Sequence, residues 1–300
     1  MREPFTSWTP SSPFKALRPL KPLAKKRVVL PLCAVALAVL GTAGAVGYLT
    51  FLRPPVNPPA DACADGRPRG GGPVVVAAGA SMTQGTLGRD WVTDLRERPG
   101  LRDHVFVNAG ANGDTGADLL ERVDSDIVAC DPDLVTVLIG TNDVRGGVPP
   151  DEYRADLAAI VDRIEDRTSA RVALMSLPPL GEDLDAGINR RLRDYNAAIK
   201  ETAARTGADY VPVNERFTDR LRDTSRHRPA YDFSFTTAYL AASEHYLLGR
   251  SWDEVARGNG LELFVDHIHL SDRGGAVVTD LAARWLSSAR GAGQGRPRTG

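Results

Sequence analysis

From Pro73 onward the chain repeats one pattern. A short, mostly apolar run stops at a glycine or a polar turn, and a stretch with apolar residues at helical spacing follows. The runs are 74–78, 104–108, 134–139, 171–175 and 210–213, and the helical stretches fall near 86–97, 115–128, 151–167, 186–206 and 272–289. Runs without inside/outside alternation are typical of parallel strands covered on both faces. Strands that alternate with helices must be joined by crossovers, which places helices on both sides of one sheet. The chain shows no internal repeat.

The interval 214–264 breaks this rhythm. Tyr231, Phe233, Phe235, Tyr239, Tyr246, Trp252 and Phe264 concentrate there, too many for a solvated loop, and helices are expected around 233–248 and 251–258. Such an insert either walls a ligand cleft or packs on the domain as a helical pair, the commoner use of aromatic residues.

Ahead of the repeats, no charged residue lies between Val28 and Leu52. A helix of that length spans about 37 Å, enough for a ~30 Å hydrocarbon core. Lys25, Lys26 and Arg27 precede the run and only Arg53 follows closely, so the positive-inside rule puts the N-terminus in the cytoplasm and the rest outside. The expected organisation is a basic leader 1–27, a single transmembrane helix 28–52, a Pro/Gly-rich linker 53–72, a folded domain 73–290 and a loose tail 291–300. The alternative is a secreted protein after signal cleavage, because Ala43-Gly44-Ala45 resembles a cleavage site; the length of the run favours the anchor.

Charge narrows the function classes. The net value of −1 hides seven cations and one acid in residues 1–27, which leave the remainder at −7. An acidic body lacks the Lys/Arg face that nucleic acid requires. Three cysteines, with no Cys-x-x-Cys and no His-Glu-x-x-His, give no zinc module. No metal, cofactor or obligate protein partner is expected.

In open parallel sheets ligands bind at the carboxyl ends of strands. Gly79-Ala80-Ser81 follows the first run, and a serine on a strand–helix turn exposes its Oγ beside its own backbone N–H, although many such serines only cap helices. Asn108-Ala109-Gly110 follows the second, where the ordinary reading is a loop ending in an Asp or Thr cap. Gly140-Thr141-Asn142-Asp143 follows the third; an Asn amide can donate to an oxyanion or simply stabilise a polar turn. Near the C-terminus, Asp266 precedes His269 by three residues, a spacing that lets the carboxylate accept the imidazole Nδ1–H and leave Nε2 as a base. Ser271 is placed to cap the last helix, and His267 is expected at the rim. His104, His227 and His245 are expected to be structural or at the surface.

These four blocks resemble those of the SGNH subgroup of the GDSL hydrolases, over roughly residues 73–290. The resemblance implies a three-layer α/β/α sandwich with a flavodoxin-like five-stranded parallel sheet. It implies Ser81 as nucleophile, His269 as base, Asp266 as its orienting acid, and an oxyanion hole from Ser81, Gly110 and Asn142. The expected activity is hydrolysis of carboxylic esters, carried either by small molecules or by lipids and O-acyl glycans of the cell envelope. The family usually has Asp where this chain has Ala80, which puts the rigidity of the nucleophile turn in question. A membrane-tethered binding module that kept the fold without catalysis is the alternative. In flavodoxin-like order Cys63 and Cys130 both fall at the amino end of the sheet, so either a disulfide joins them or both remain thiols.

Overall fold

The computed structural model describes residues 23–222 and 228–293; the leader 1–22, His227 and the tail from 294 lie outside the described residues. The elements in chain order are α1 Leu23–Gly47, α2 Pro59–Ala62, β1 Val74–Gly79, α3 Ser81–Gln84, α4 Trp91–Glu97, β2 Val105–Gly110, α5 Gly116–Glu121 and α6 Val123–Asp126. Then follow β3 Leu134–Leu138, α7 Thr141–Gly146, α8 Pro150–Arg167, β4 Arg171–Met175, α9 Gly187–Thr206, β5 Asp209–Val211, α10 Val213–Arg222, α11 Phe235–Leu248, α12 Trp252–Gly258 and α13 Asp272–Gly293.

The five strands form one parallel sheet in the order β2-β1-β3-β4-β5, the flavodoxin-like order. Every residue of β1 and β3 is buried, as suits sequences that are apolar but for Thr136. Helices α5, α8 and α9 pack together as one layer, while α4, α10 and α13 form the other. The chain leaves β1 toward β2 on one side and later crosses to β3 on the other. The carboxyl end of β1 is therefore the point where the winding direction reverses, the usual place for a ligand crevice.

Several boundaries differ from the sequence reading. β5 stops at Val211 because Pro212 cannot continue it, and Val213 already begins α10. Helix α10 was not anticipated, although Val213, Phe217 and Leu221 recur at its buried face every fourth residue. The stretch 86–97 becomes helical only at Trp91, where the Asp90 carboxylate accepts the Thr93 N–H at 2.9 Å.

The chain divides into two compact units, residues 1–44 and 45–300. In the first, α1 presents Leu32, Val35, Leu37, Val39 and Leu40 as exposed apolar side chains and Cys33 as a free thiol. Among the described residues one stretch, Pro31–Leu52, is long and apolar enough to cross a membrane, and as the N-terminal apolar helix it suits a signal anchor or a signal peptide.

The second unit begins well before Pro73. Residues 53–72, read from the sequence as an extended linker, are laid against the domain. β2 is an edge strand, and the stem covers part of that edge: Asn57 donates to the Phe106 carbonyl at 2.7 Å and accepts the Asn108 N–H at 3.1 Å. Beyond α2, Cys63 is bridged to Cys130 with a Cα–Cα distance of 5.0 Å, at the amino end of the sheet.

Candidate active site

Ser81 opens α3 immediately after β1. At that position a backbone N–H has no acceptor within its own helix and points outward with the positive end of the peptide dipoles. The turn is tight: a Cβ on Gly79 would overlap the Leu138 carbonyl and the Thr83 side chain. Ala80 contributes only backbone, its carbonyl accepting from Thr83 and Gln84 at 3.0 and 2.9 Å. The rigidity comes from elsewhere. Buried Asn108 donates to the Thr83 carbonyl at 2.8 Å, and Gln84 joins two loops, accepting from Asn112 N–H at 2.6 Å and donating to the Arg53 carbonyl at 2.8 Å.

His269 reaches Ser81 from the segment before α13. Its Nε2 lies 2.9 Å from Ser81 Oγ, and its Nδ1 lies 2.7 Å from Asp266 Oδ2. The other Asp266 oxygen accepts backbone N–H groups from Ile268 at 3.1 Å and His269 at 2.8 Å. Burial alone would push this carboxyl up. The His269 charge and the three hydrogen bonds outweigh burial and hold its pKa below the ordinary value. An acceptor-only Asp266 leaves Nδ1 as the protonated nitrogen and Nε2 as the basic one facing the hydroxyl.

The segment carrying Asp266 is itself braced. Glu182, almost wholly buried, accepts N–H groups from Glu262 and Leu263 at 2.7 and 2.6 Å and pairs with Arg228 at 2.6 Å. Ser271 Oγ accepts the Gly274 N–H at 3.1 Å and donates to the Glu262 carbonyl at 2.8 Å, fixing where α13 starts.

Asn142 is the second residue of α7, just after Gly140, whose φ of +124° sets it against the Tyr153 ring. The Asn142 amide donates one proton to the Asp114 carbonyl at 2.9 Å, and its oxygen accepts from Arg145 at 3.2 Å. With those two contacts the amide cannot flip, and its other N–H is set in orientation. Next door, Asp143 is buried and accepts the Gly116 N–H at 3.0 Å, a structural tie that burial makes less acidic than usual. Gly110 has no room for a side chain, since a Cβ would overlap the Gln84 backbone. Its N–H donates to Asn108 Oδ1 at 3.0 Å, so an oxyanion there must share or displace that acceptor.

Two further features were missed in sequence. Arg122 donates to the Gly79 and Ala109 carbonyls at 3.0 and 2.9 Å, closing the ends of β1 and β2, and pairs with Asp114 and Asp126. Phe233 stands 6.2 Å from the His269 ring, with the Arg145 guanidinium 4.2 Å over its face. The aromatic insert thus supplies a helical pair packed on the domain and a wall at the cleft. His267 is corrected: it is buried rather than at the rim, with φ of +73°, its ring edge-on to Tyr231, and burial lowers its pKa. His245 stacks on Trp252 at 3.9 Å, and buried His104 lies 3.0 Å from the Asp103 carboxylate. Among the described residues no cluster suited to a metal ion occurs.

A family model described as the GDSL-like lipase/acylhydrolase family matches residues 77–277. The acetylxylan esterase of Geobacillus stearothermophilus is 27% identical over 157 residues, 49% of this chain and 69% of that protein. Among solved structures, a variant of Axe2, an acetyl-xylooligosaccharide esterase from the same Geobacillus species, superposes with a TM-score of 0.53 at 22% identity, covering 72% of this chain and 94% of that one. The hydrolase LAE5, from the metagenome of Lake Arreo, gives 0.52 at 23% identity, covering 71% and 94%. At these identities the structural likeness speaks for the fold alone.

Proposed function

The chain belongs to the GDSL-like lipase/acylhydrolase family and is a carboxylic ester hydrolase, and from that premise we propose that it is an extracytoplasmic, membrane-anchored serine esterase with Ser81, His269 and Asp266 as its triad. The observation that carries this is the pair of distances through His269, 2.9 Å to Ser81 and 2.7 Å to Asp266.

Ser81 Oγ attacks the acyl carbonyl while His269 Nε2 takes its proton. The tetrahedral oxyanion is met by the Ser81 and Gly110 N–H groups and the outward N–H of Asn142. His269 then protonates the departing alcohol, leaving an acyl group on Ser81. Water, deprotonated by the same nitrogen, releases the acid and restores the hydroxyl. Asp266 stays ionised throughout and stabilises the imidazolium. The relatives named for acetylated xylan support a short O-acyl group on a glycan as substrate, while Phe233 beside His269 favours an apolar acyl chain.

Two measurements test this reading. A series of p-nitrophenyl esters from acetate to palmitate, run beside acetylated xylo-oligosaccharide, is expected to be hydrolysed by the wild type with a preference for the shortest acyl group, and not measurably by Ser81→Ala. Turnover retained in the variant refutes the triad. Protease added to intact cells is expected to degrade the body while an N-terminal tag survives; a protected body refutes the location.

A further inference from the structure

Helix α11 follows directly on Phe233 at the cleft, and its outward side is uncharged, with leucines among its most exposed positions. Thr236, Leu240, Ser243 and Leu247 follow one another at helical spacing along that side, with Leu240 58% and Leu247 52% exposed. Phe235 is 72% exposed at one end and Leu248 66% at the other. The one carboxylate of the helix, Glu244, is engaged by Arg250 at 2.7 Å. A helix facing water ordinarily carries its charges on that side.

A neighbouring stripe of the same helix holds the end of the apolar N-terminal run. The Phe51 and Phe235 rings meet edge-on at 6.4 Å, and Arg53 donates to the Tyr246 hydroxyl at 3.3 Å. Buried Thr50 and half-buried Phe51 are further tied to the domain through their carbonyls, which accept from Asn112 at 3.3 and 3.1 Å, while Tyr48 and Leu52 remain 52% and 73% exposed. Aromatic contacts continue inward from there: Phe235 to Phe233 at 5.7 Å, and Phe233 to His269 at 6.2 Å.

We propose that the outward face of α11, with Tyr48 and Leu52, is seated in the headgroup layer of the membrane's outer leaflet and holds the Ser81 cleft at the lipid surface. The proposal rests on the reading of residues 28–52 as an anchor. The occupant follows from chain continuity. The run that would cross the bilayer ends in residues packed directly against α11, so this helix stands where the chain leaves the hydrocarbon. Leucine, phenylalanine and tyrosine at that depth bury apolar surface ~5–10 Å into the interface, which offsets the cost of showing them to water.

The test uses the full-length chain in phosphatidylcholine–phosphatidylglycerol vesicles, with Cys33→Ser as background. Leu247→Cys, Leu40→Cys and Lys200→Cys are each labelled with an environment-sensitive fluorophore. Lipids spin-labelled near the headgroup or deep in the acyl chain serve as quenchers. The label at 247 is expected to shift to the blue and to be quenched several-fold more by the shallow lipid than by the deep one. The label at 40 is expected to be quenched best by the deep lipid, and that at 200 by neither. Quenching at 40 without quenching at 247 overturns the docking surface and leaves the anchor standing. No quenching at 40 overturns both. A blue shift at 247 without quenching means that protein, such as a second copy of the chain, covers the face, and this too overturns the proposal.

Discussion

Asp266 shows how one side chain serves both the site and the fold. Its carboxyl is more acidic folded than unfolded, so the ionised form stabilises the protein above the ordinary value of 3.8, and that contribution fades as pH falls through the folded value. The difference in urea midpoint between wild type and Asp266→Asn is therefore expected to narrow from pH 5 to pH 3; a constant or widening gap contradicts the ion pair with His269. In activity the same variant is expected to lose roughly 10⁴ in kcat, because an amide at that position favours the wrong tautomer. Asn142→Ala is expected to lower kcat by about 10²–10³ with little change in KM, and a raised KM alone would make the residue a substrate contact instead. These residues were legible because each stands next to a strand end or at a three-residue spacing, so local sequence fixes its neighbours. Arg122 was not, since its acceptors lie 43 and 13 residues away and no local signal marks them. Arg122→Met removes the side-chain donor that serves both carbonyls and two carboxylates, and is expected to cost about 2–3 kcal/mol in denaturant unfolding. A loss within error would show that water takes over its bonds.

At the scale of elements, the strands were readable because burial on both faces leaves a mostly apolar run, and the order of the sheet followed from the resemblance carried by the four blocks around Ser81, Gly110, Asn142 and Asp266/His269. Helix α10 and the stem are among the elements that escaped. Helix α10 is amphipathic but starts one residue after Pro212, where a strand was expected to continue. The stem was read as a linker because prolines usually keep a chain extended, and nothing local in its sequence announces that Asn57 will pair with an edge strand. The bridge between Cys63 and Cys130 fixes that stem and encloses a long loop, with 67 residues of sequence separation. Replacing both cysteines by serine is expected to lower stability by about 2–4 kcal/mol while kcat on a soluble ester stays within twofold, since the bridge lies at the end of the sheet away from Ser81. A large fall in kcat at unchanged stability would mean that the stem governs the cleft through Gln84 and Asn112.

In the whole molecule, a basic leader and an uncharged run precede an acidic body in which Ser81, Gly110 and Asn142 stand at the carboxyl ends of β1, β2 and β3. Covalent labelling reads out the proposed role of Ser81 as the nucleophile. The full-length protein, treated with a fluorophosphonate and examined by mass spectrometry, is expected to gain one adduct, on the peptide containing Ser81. Labelling should vanish in Ser81→Ala and be greatly slowed in His269→Ala. An adduct on another serine, or none on an enzyme that still hydrolyses esters, would refute Ser81 as the nucleophile.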